Sequence, residues 1–370
     1  MFSTRLASLS LALALILTAC AWRAPATPHA VPPAATAKPT SIKLTDALGR
    51  TVTLPRAPQR IALAGRAVTL VTDAVYLFPA APARVVTLAK GTQGKDFVPV
   101  IDPNHESKLK LETQVGPEQV AAAKPDVVLL KSYMADTLGK PLESLSIPVV
   151  YVDFETPEQY QRDLATLGQI FDDPARAKQV SAFYQERVER VTQSLAGLSD
   201  DKKPRVLLLY YNDKDGQIAF NVPPREWIQT WMAQTAGGRP VWKDAKLGQG
   251  WTKVNLEQIA AWDADQIYII AYTGNVSDVV KRLKADPQWQ ALRAVKQGTL
   301  YAFPADYYSW DQSDTRWILG LMWLAGKIQP DRFAGSNIQQ EARTFYKEMY
   351  NLDDAAFQKY IQPNLAGDLP

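Results

Sequence analysis

Aromatic and cationic side chains gather in the segments that we expect to follow strands. Tyr and Trp rings pack on flat or apolar groups, and Arg and Lys bind oxyanions, so such a set suits an anionic ligand or a metal chelate. The densest segment, Asp306-Tyr-Tyr-Ser-Trp-Asp-Gln-Ser-Asp-Thr-Arg316, lies directly ahead of a predicted helix. The candidate ligand-binding residues are Arg66, Lys90, Tyr133, Tyr211, Trp251, Tyr272, Tyr307, Tyr308, Trp310 and Arg316.

Each of these residues also has an ordinary structural alternative. A Trp such as Trp251 or Trp310 packs in a core as readily as it contacts a ligand. Arg316 could pair with Asp311 or Asp314, which lie close in sequence, and Arg66 could be a surface arginine. The sequence leaves both interpretations open for these positions.

Other kinds of chemistry find little support in the sequence. The segment Lys90-Gly-Thr-Gln-Gly-Lys95 lacks the glycine spacing and the Ser or Thr after Lys that a phosphate-binding loop needs. His105 stands in a polar segment, where a solvated side chain is a better interpretation than a metal or haem ligand. There is no Gly-x-Ser-x-Gly and no His-Glu-x-x-His motif. We predict no catalytic residue, no resident metal and no cofactor.

Composition narrows the class of protein further. A chain of 370 residues with 46% hydrophobic and 21% charged residues is long enough for two globular domains. The net charge of +3 is too small to indicate a nucleic-acid partner. One Cys and two His exclude a disulfide framework, a Cys-based metal cluster and a multi-His zinc site.

Strand-like and helix-like patterns alternate in two blocks, which predicts an α/β fold. We expect two Rossmann-like lobes with mostly parallel sheets, over residues 41–172 and 200–370, the second including the C-terminal helices. One long spine helix over 173–199 joins them; it begins at Asp173-Pro174, runs to about Leu198 and is about 37 Å long. A later helix starts near Thr315, with Ser313 or Asp314 as its cap.

A short pattern occurs twice and supports the two-lobe plan. Glu118-Gln-Val-Ala-Ala and Glu257-Gln-Ile-Ala-Ala are each followed, after three residues, by Asp and an apolar run. Each unit predicts a short helix leading into a buried strand. Chance similarity of two amphipathic segments is the alternative.

The N-terminus predicts export and a lipid anchor. Residues 1–19 have the charged start and short apolar region of a signal peptide. The chain's single Cys ends the segment Leu17-Thr-Ala-Cys20, which resembles a bacterial lipobox; an ordinary signal peptide with an incidental Cys is the alternative. Residues 20–40, rich in Ala, Pro and Thr, form a tether. We expect an extracytoplasmic protein held on a bacterial membrane by lipidated Cys20.

Several short segments occur in a fixed order: Asp46–Arg50, Pro58–Ile61, Val115-Gly116, Lys124–Asp126, Ile147–Val149, Pro174, Trp289, Val295–Tyr301 and Phe345–Leu352. Their order and spacing resemble those of the substrate-binding lipoproteins of ABC importers for iron-siderophores, haem, cobalamin and some metal oxyanions. The resemblance covers nearly the whole mature chain. It implies two α/β lobes joined by one rigid helix, a ligand in the cleft between them and only small lobe movement on binding. We also expect the protein to be a monomer.

The same resemblance implies that each lobe presents a glutamate to arginines of the membrane permease. The positions that match are Glu118 and Glu257, the glutamates of the repeated pattern. A carboxylate in the first turn of a helix is stabilised by the helix dipole, and an Arg can hold it with two hydrogen bonds. A helix-start carboxylate without a partner is the alternative.

Two kinds of ligand fit the cleft residues, and one different class of protein fits the architecture. A ferric siderophore or cobalamin needs a broad aromatic cleft, whereas molybdate or tungstate needs a tight cage of donors. We prefer an iron complex, on its frequency in the family. An exported two-lobe α/β enzyme, such as a glycosyltransferase, shares the architecture but needs a phosphate cradle that this sequence lacks.

Overall fold

The structure is a computed structural model that describes residues 41–91, 93, 95–214, 216–246 and 248–369. The predicted signal peptide, Cys20 and the tether lie outside the described residues.

The N-terminal lobe is built on a parallel sheet. An antiparallel hairpin comes first, β1 (Ile42–Thr45) with β2 (Thr51–Leu54). Strand β3 (Ile61–Leu63) pairs with β6 (Val127–Lys131), which pairs with β7 (Val149–Val152). On the other side of β3 lie β4 (Thr87–Ala89) and β5 (Leu109–Leu111), joined to it by a parallel bridge between Ile61 and Val85. Every residue of β6 and β7 is buried, which explains their unbroken apolar runs.

The C-terminal lobe contains a mixed sheet. Its parallel part is β8 (Arg205–Lys214), β12 (Gln266–Ala271) and β13 (Leu300–Ala302), with β10 (Arg239–Pro240) beside the start of β8. Strands β9 (Gln217–Val222) and β11 (Thr252–Val254) add an antiparallel edge. The prediction of α/β lobes with mostly parallel sheets is confirmed. The sequence prediction missed the β8–β9 hairpin, although Asp215-Gly216 is a common hairpin-turn dipeptide.

The described residues contain many helices, nine of which are numbered α1 to α9. They are α1 (Val68–Val75), α2 (Pro117–Ala121), α3 (Pro157–Ile170), α4 (Pro174–Ser194), α5 (Ile228–Thr235), α6 (Leu256–Trp262), α7 (Val276–Ala285), α8 (Trp317–Ile328) and α9 (Ile338–Tyr350). Other helical segments, each of three to five residues, are Ala81–Arg84, Val98–Ile101, His105–Ser107, Ser132–Met134, Ala135–Gly139, Lys140–Ser144, Asp200–Lys202, Pro287–Gln290, Arg293–Lys296, Pro330–Arg332, Asp354–Ala356, Phe357–Ile361 and Gln362–Asn364.

Helix α4 is the predicted spine and follows the N-terminal sheet in sequence. Asp173 caps it by accepting a hydrogen bond from the Arg176 amide at 2.9 Å, and Pro174 occupies its first turn. Its 21 residues make it about 31 Å long, four residues shorter than predicted. The chain leaves the helix after Ser194 and turns at Gly197, whose φ of 73° suits glycine.

The repeated pattern occupies equivalent places in the two sheets. Helix α2 leads into β6, the strand after β3 in the sheet, and α6 leads into β12, the strand after β8. The predicted helix-strand units are therefore present in both lobes. A helix that returns to the start of a parallel strand begins near the carboxyl edge of the sheet, so Glu118 and Glu257 lie toward that edge in their lobes.

Helix α8 lies in the interior, with ten of its twelve residues buried. The predicted cap by Ser313 or Asp314 is wrong, because the residue before the helix is Arg316 and no side chain caps it. Asp314 instead accepts a hydrogen bond from the Arg316 amide at 2.7 Å. This bond shapes the turn that enters the helix.

Candidate ligand-binding cleft

A cavity of about 400 Å³ lies beyond the carboxyl ends of β12 and β13, where ligands bind in open α/β sheets. The loop after β12 contributes Tyr272 and Asn275, and the loop after β13 contributes Tyr307 and Tyr308. Gln93 and Lys95 of the N-terminal lobe line the same cavity, as does the segment 363–366. The cavity is therefore a cleft between the lobes.

Four half-buried rings form an aromatic cluster beside this cleft: Tyr210, Trp227, Trp251 and Tyr272. Tyr272 stacks on Tyr210 with ring centroids 4.5 Å apart, and Tyr210 packs on Trp251 at 5.0 Å. Trp227 meets Trp251 edge to face at 5.7 Å. Because Tyr272 belongs both to the cluster and to the cavity wall, the cluster extends the cleft with an apolar surface.

A buried carboxylate fixes the position of Tyr272. Its hydroxyl donates to Asp311 Oδ2 at 2.8 Å, and Gln229 Nε2 donates to the same oxygen at 3.3 Å. Burial raises the pKa of Asp311 to about 6. Burial also raises the pKa of Tyr272 well above its usual value, so Tyr272 is a neutral hydrogen-bond donor at physiological pH.

Asp306 shapes the loop that carries Tyr307 and Tyr308. Its Oδ1 accepts from the Tyr307 amide at 2.5 Å and the Tyr308 amide at 3.3 Å, and its Oδ2 accepts from Trp310 Nε1 at 2.8 Å. The Tyr307 hydroxyl donates to the Tyr360 carbonyl at 3.0 Å. These bonds hold both rings against the cavity, with Tyr308 almost fully buried.

The N-terminal lobe supplies the positive charge of the cleft through Lys95, which is exposed. Gln93 lies beside it and exchanges hydrogen bonds of 2.5 and 3.0 Å with Gln312 of the other lobe. Lys131, also at the end of a strand, has a buried ammonium that pairs with Glu155 and the Asp153 carbonyl. Lys131 is therefore engaged within the lobe.

The remaining predicted residues of the N-terminal lobe lie outside this cavity wall. Arg66 and Lys90 are exposed, and Tyr133 is 53% exposed. The Tyr133 hydroxyl donates to the Arg66 carbonyl at 3.0 Å, so the loops after β3 and β6 meet. A role for these three residues in ligand binding stays a prediction.

The structure places Tyr211 elsewhere than the prediction did. Side chains alternate along a strand, so Tyr210 and Tyr211 point to opposite faces of the sheet. Tyr210 joins the aromatic cluster, whereas Tyr211 is 7% exposed, packs on Phe220 and lies within 3.4 Å of Arg282. The sequence identified the correct strand, but it did not show which of the two neighbouring tyrosines faces the cleft.

Trp310 and Arg316 are also placed differently from the prediction, because both side chains are fully buried. Trp310 donates to Asp306, and Arg316 pairs with Asp73, Asp306 and Asp314. Trp310 therefore packs in the core, and Arg316 forms an ion pair with a nearby aspartate, as the alternative interpretations of these residues expected. The nearby partner of Arg316 is Asp314 rather than Asp311. The structure gives neither side chain a surface for a ligand.

The sequence prediction missed several residues of the cleft. Trp227 is absent from the candidate residues, and Gln93 and Lys95 lie in the segment that was considered only for phosphate binding. The lining segment 363–366 reaches the cleft because the Ala366 and Ala305 backbones pair. No local signal marks such a contact, since it joins residues about 60 positions apart.

Glu118 and Glu257 are exposed, each in the first turn of a short helix. In α2 the Gly116 amide donates to the Gln119 side chain at 2.9 Å, and in α6 the Gln258 amide donates to Asn255 at 2.8 Å. Neighbouring side chains thus satisfy the helix starts and leave both carboxylates at the surface. Their role in docking stays a prediction.

The described part of the chain has neither a clustered metal site nor a membrane-spanning helix. No group of three or more His, Cys, Asp or Glu side chains is arranged to hold a metal ion there. No described helix is both long enough and apolar enough to cross a membrane.

Comparison with known proteins identifies the family. Residues 78–307 match the family described as Periplasmic binding protein. The chain is 23% identical to the molybdate-binding protein MolA of Haemophilus influenzae over 63% of this chain and 69% of that protein. It is 24% identical to the Fe(3+) dicitrate-binding periplasmic protein FecB of Escherichia coli, over 67% and 77% of the two chains.

Solved structures agree with this family. A periplasmic solute-binding protein from Veillonella parvula superimposes with a TM-score of 0.70 and 26% identity, over 87% of this chain and 97% of that one. MolA with bound molybdate also superimposes with a TM-score of 0.70, over 84% and 98% of the chains; at 19% identity it supports the fold alone. The chain belongs to the periplasmic binding protein family, whose members are solute-binding proteins and not enzymes.

Proposed function

We propose that this protein is the extracytoplasmic solute-binding component of an ABC importer and that it captures an anionic metal chelate, first of all an iron-siderophore. The observation that carries the proposal is the cleft that combines Lys95 with the aromatic cluster around Tyr272. A cation attracts the negative groups of a chelate, and stacked rings pack on its flat or apolar parts. The loaded protein then delivers the chelate to its permease.

The size of the cleft favours a chelate over a bare oxyanion. About 400 Å³ would hold roughly a dozen water molecules at about 30 Å³ each, far more than one four-oxygen anion fills. It lies in the range of about 300–1,000 Å³ that is usual for small-molecule sites. FecB, which is named for ferric dicitrate, supports this class of ligand, whereas the likeness to MolA supports molybdate as the second candidate.

Ligand screening tests the proposal directly. The purified protein is mixed with ferric citrate, a ferric catecholate, haem, cobalamin, molybdate or tungstate, and is followed by native mass spectrometry and thermal unfolding. We expect a ferric chelate to bind one to one and, at about 100 times its Kd, to stabilise the fold by about 2.7 kcal/mol. Stabilisation by molybdate or tungstate alone would replace the chelate with an oxyanion, and stabilisation by none of these ligands would contradict the proposal.

We further propose that Cys20 carries the lipid that holds the protein, as a monomer, on the outer side of a bacterial membrane. The lipobox-like segment that ends at Cys20 supports this anchor. Replacing Cys20 with Ser should move the protein from the detergent-extracted membrane fraction to the soluble extracytoplasmic fraction. An unchanged distribution would show that the anchor lies elsewhere or is absent.

A further inference from the structure

Arg316 lies at the centre of a buried charge cluster. Its Nη1 pairs with Asp73 and, at 3.1 Å, with Asp314 Oδ2, while its Nε lies 2.7 Å from Asp306 Oδ1. All four side chains have no exposed surface. The guanidinium also lies over the rings of Phe97 at 4.6 Å and Tyr308 at 5.0 Å. We call Asp73, Asp306, Asp314 and Arg316 the carboxylate clamp.

The carboxylate clamp joins the two lobes. Asp73 belongs to α1 of the N-terminal lobe, whereas the other three residues belong to the C-terminal lobe. Hydrogen bonds tie the same region together around it: the Tyr184 hydroxyl donates to the Thr315 carbonyl at 2.6 Å, and the Tyr350 hydroxyl donates to the Asp73 carbonyl at 3.1 Å. The Asp73–Arg316 ion pair is therefore one contact in a packed junction between lobes.

The carboxylate clamp also reaches the cleft. Asp306 Oδ1, which faces Arg316 Nε, is the atom that accepts from the amides of Tyr307 and Tyr308. One carboxylate thus connects the guanidinium to the cavity wall. Moving Arg316 would release this carboxylate and, with it, the loop that carries the two rings.

The charges in the carboxylate clamp do not balance. Three carboxylates face one guanidinium, so full ionisation would leave a formal charge of −2 without solvent. Such a charge is costly in a low-dielectric interior, and a proton taken up from water relieves it. Among the described residues, the other titratable groups that interact with the clamp are Asp96 and the tyrosines Tyr160, Tyr184, Tyr308, Tyr346 and Tyr350, none of which is a cation.

The pKa directions agree with this charge count. Burial raises the pKa of Asp73 to about 6 and that of Asp314 to about 8, against the lowering effect of Arg316. The two carboxyls interact, so the proton belongs to the pair rather than to one residue.

We infer that Arg316 is a positioning residue of the cleft rather than a ligand contact, and that the carboxylate clamp holds the lobes together with a proton bound at neutral pH. The clamp itself is independent of any ligand. Its effect on ligand binding rests on the proposed function, because it acts through the cleft wall at Tyr307 and Tyr308.

The direction of the pH effect follows from proton linkage. Between about pH 6 and pH 8 the folded clamp holds a proton that the unfolded chain has lost, since an unfolded Asp ionises near pH 4. Folding is therefore favoured by this proton at the lower end of the range, and the advantage is lost as the pH rises. One retained proton makes the folding equilibrium constant fall about tenfold for each pH unit.

Urea unfolding of the full chain at about pH 6, 7 and 8 measures this slope. We expect the wild type to lose up to tenfold in the folding constant per pH unit, and Asp314→Asn and Asp73→Asn each to flatten the slope. Because the two residues share one proton across the lobes, the double variant should be no flatter than either single variant. Asp331→Asn, which changes an exposed carboxylate after α8, serves as the control and should keep the wild-type slope.

A second measurement needs no variant of the clamp. Calorimetric unfolding at about pH 7 in buffers of different ionisation enthalpy should show about one proton released per molecule. A wild-type slope near zero with no released proton, or slopes that Asp314→Asn and Asp73→Asn leave unchanged, would overturn the inference.

Hydrogen exchange tests the positioning role separately from overall stability. Arg316→Lys keeps the charge but loses the planar guanidinium that pairs with three carboxylates at once. We expect faster exchange at the amides of Tyr307 and Tyr308 and unchanged exchange in β12. Equal acceleration in both segments would show that Arg316 supports the fold only. Since none of these three measurements uses a ligand, failure of the proposed function would leave their results interpretable.

Discussion

Two residues define the chemistry of the cleft, and they come from different lobes. Lys95 offers a charge to an anionic group, and Tyr272 offers a ring that is stacked on Tyr210 and held by Asp311. The lysine is exposed while the ring is half-buried, so we expect the first to attract the ligand and the second to orient it. Attraction by an exposed charge weakens in salt, whereas ring packing does not.

Lys95→Ala should therefore weaken binding of a ferric chelate by about two- to fivefold at low ionic strength, the effect of about 0.5–1 kcal/mol from one exposed charge. The difference from wild type should shrink as salt is added. Titration calorimetry at two salt concentrations measures both effects. Lys281→Ala, which removes an exposed charge on α7 outside the cavity wall, is the matched control and should bind as wild type. A loss that is equal at both salt concentrations would argue against an electrostatic role.

Among the elements, helix α8 packs against the buried side of the loop that carries Tyr307 and Tyr308. Gly320 of this helix faces the backbone of the cleft loop so closely that a Cβ atom there would lie 2.1 Å from the Trp310 carbonyl oxygen. A glycine at this position lets the helix and loop touch, which sets the depth of the loop against the core. Gly326, in the same helix, has space: a Cβ atom would lie 3.9 Å from Ser336 Oγ.

Gly320→Ala should lower the free energy of unfolding by about 1–3 kcal/mol or more, because the loop or the helix must move to admit the methyl group. It should also weaken ligand binding, since the same loop carries Tyr307 and Tyr308. Gly326→Ala is the control and should be neutral or more stable by about 0.5–1 kcal/mol, the usual gain in a helix interior. Urea unfolding with a binding titration measures both; equal stabilities for the two variants would contradict the close approach.

At the scale of the whole molecule, the repeated helix-strand unit gives the two lobes a common plan. It places one exposed glutamate on each lobe, toward the sheet edge that borders the cleft. We propose that each half of a permease docks on one lobe, through arginines that pair with Glu118 and Glu257.

Replacing both Glu118 and Glu257 with Arg should abolish uptake in cells while the affinity of the purified protein for its chelate stays within about twofold of wild type. Uptake of labelled chelate and a binding titration provide the two readouts. Glu189→Arg, a charge reversal at an exposed position of the spine helix α4, should leave uptake intact. A fall in affinity with the double change would place these glutamates in the cleft or the fold instead.

The sequence by itself determined the local and repeated features of this protein. Strands such as β6 and β12 were predictable because an unbroken apolar run needs burial on both faces, and α4 was predictable from its Asp-Pro start. The repeated unit and the order of the short segments indicated two α/β lobes and the family. Bounds were less certain, as the early end of α4 shows, because a helix end depends on contacts beyond its own residues.

The tertiary structure alone decided which candidates face the cleft. Tyr210 rather than Tyr211 joins the aromatic cluster because strand register selects the face, and a shift of one residue reverses it. The Arg316 side chain is buried because it pairs with Asp73 of the other lobe. Asp73 lies 243 residues away in the chain, so no local sequence pattern predicts this pair. Secondary structure is predictable from the sequence because it depends largely on interactions between residues that are close in the chain. The cleft depends on contacts between distant segments, which only the tertiary structure shows.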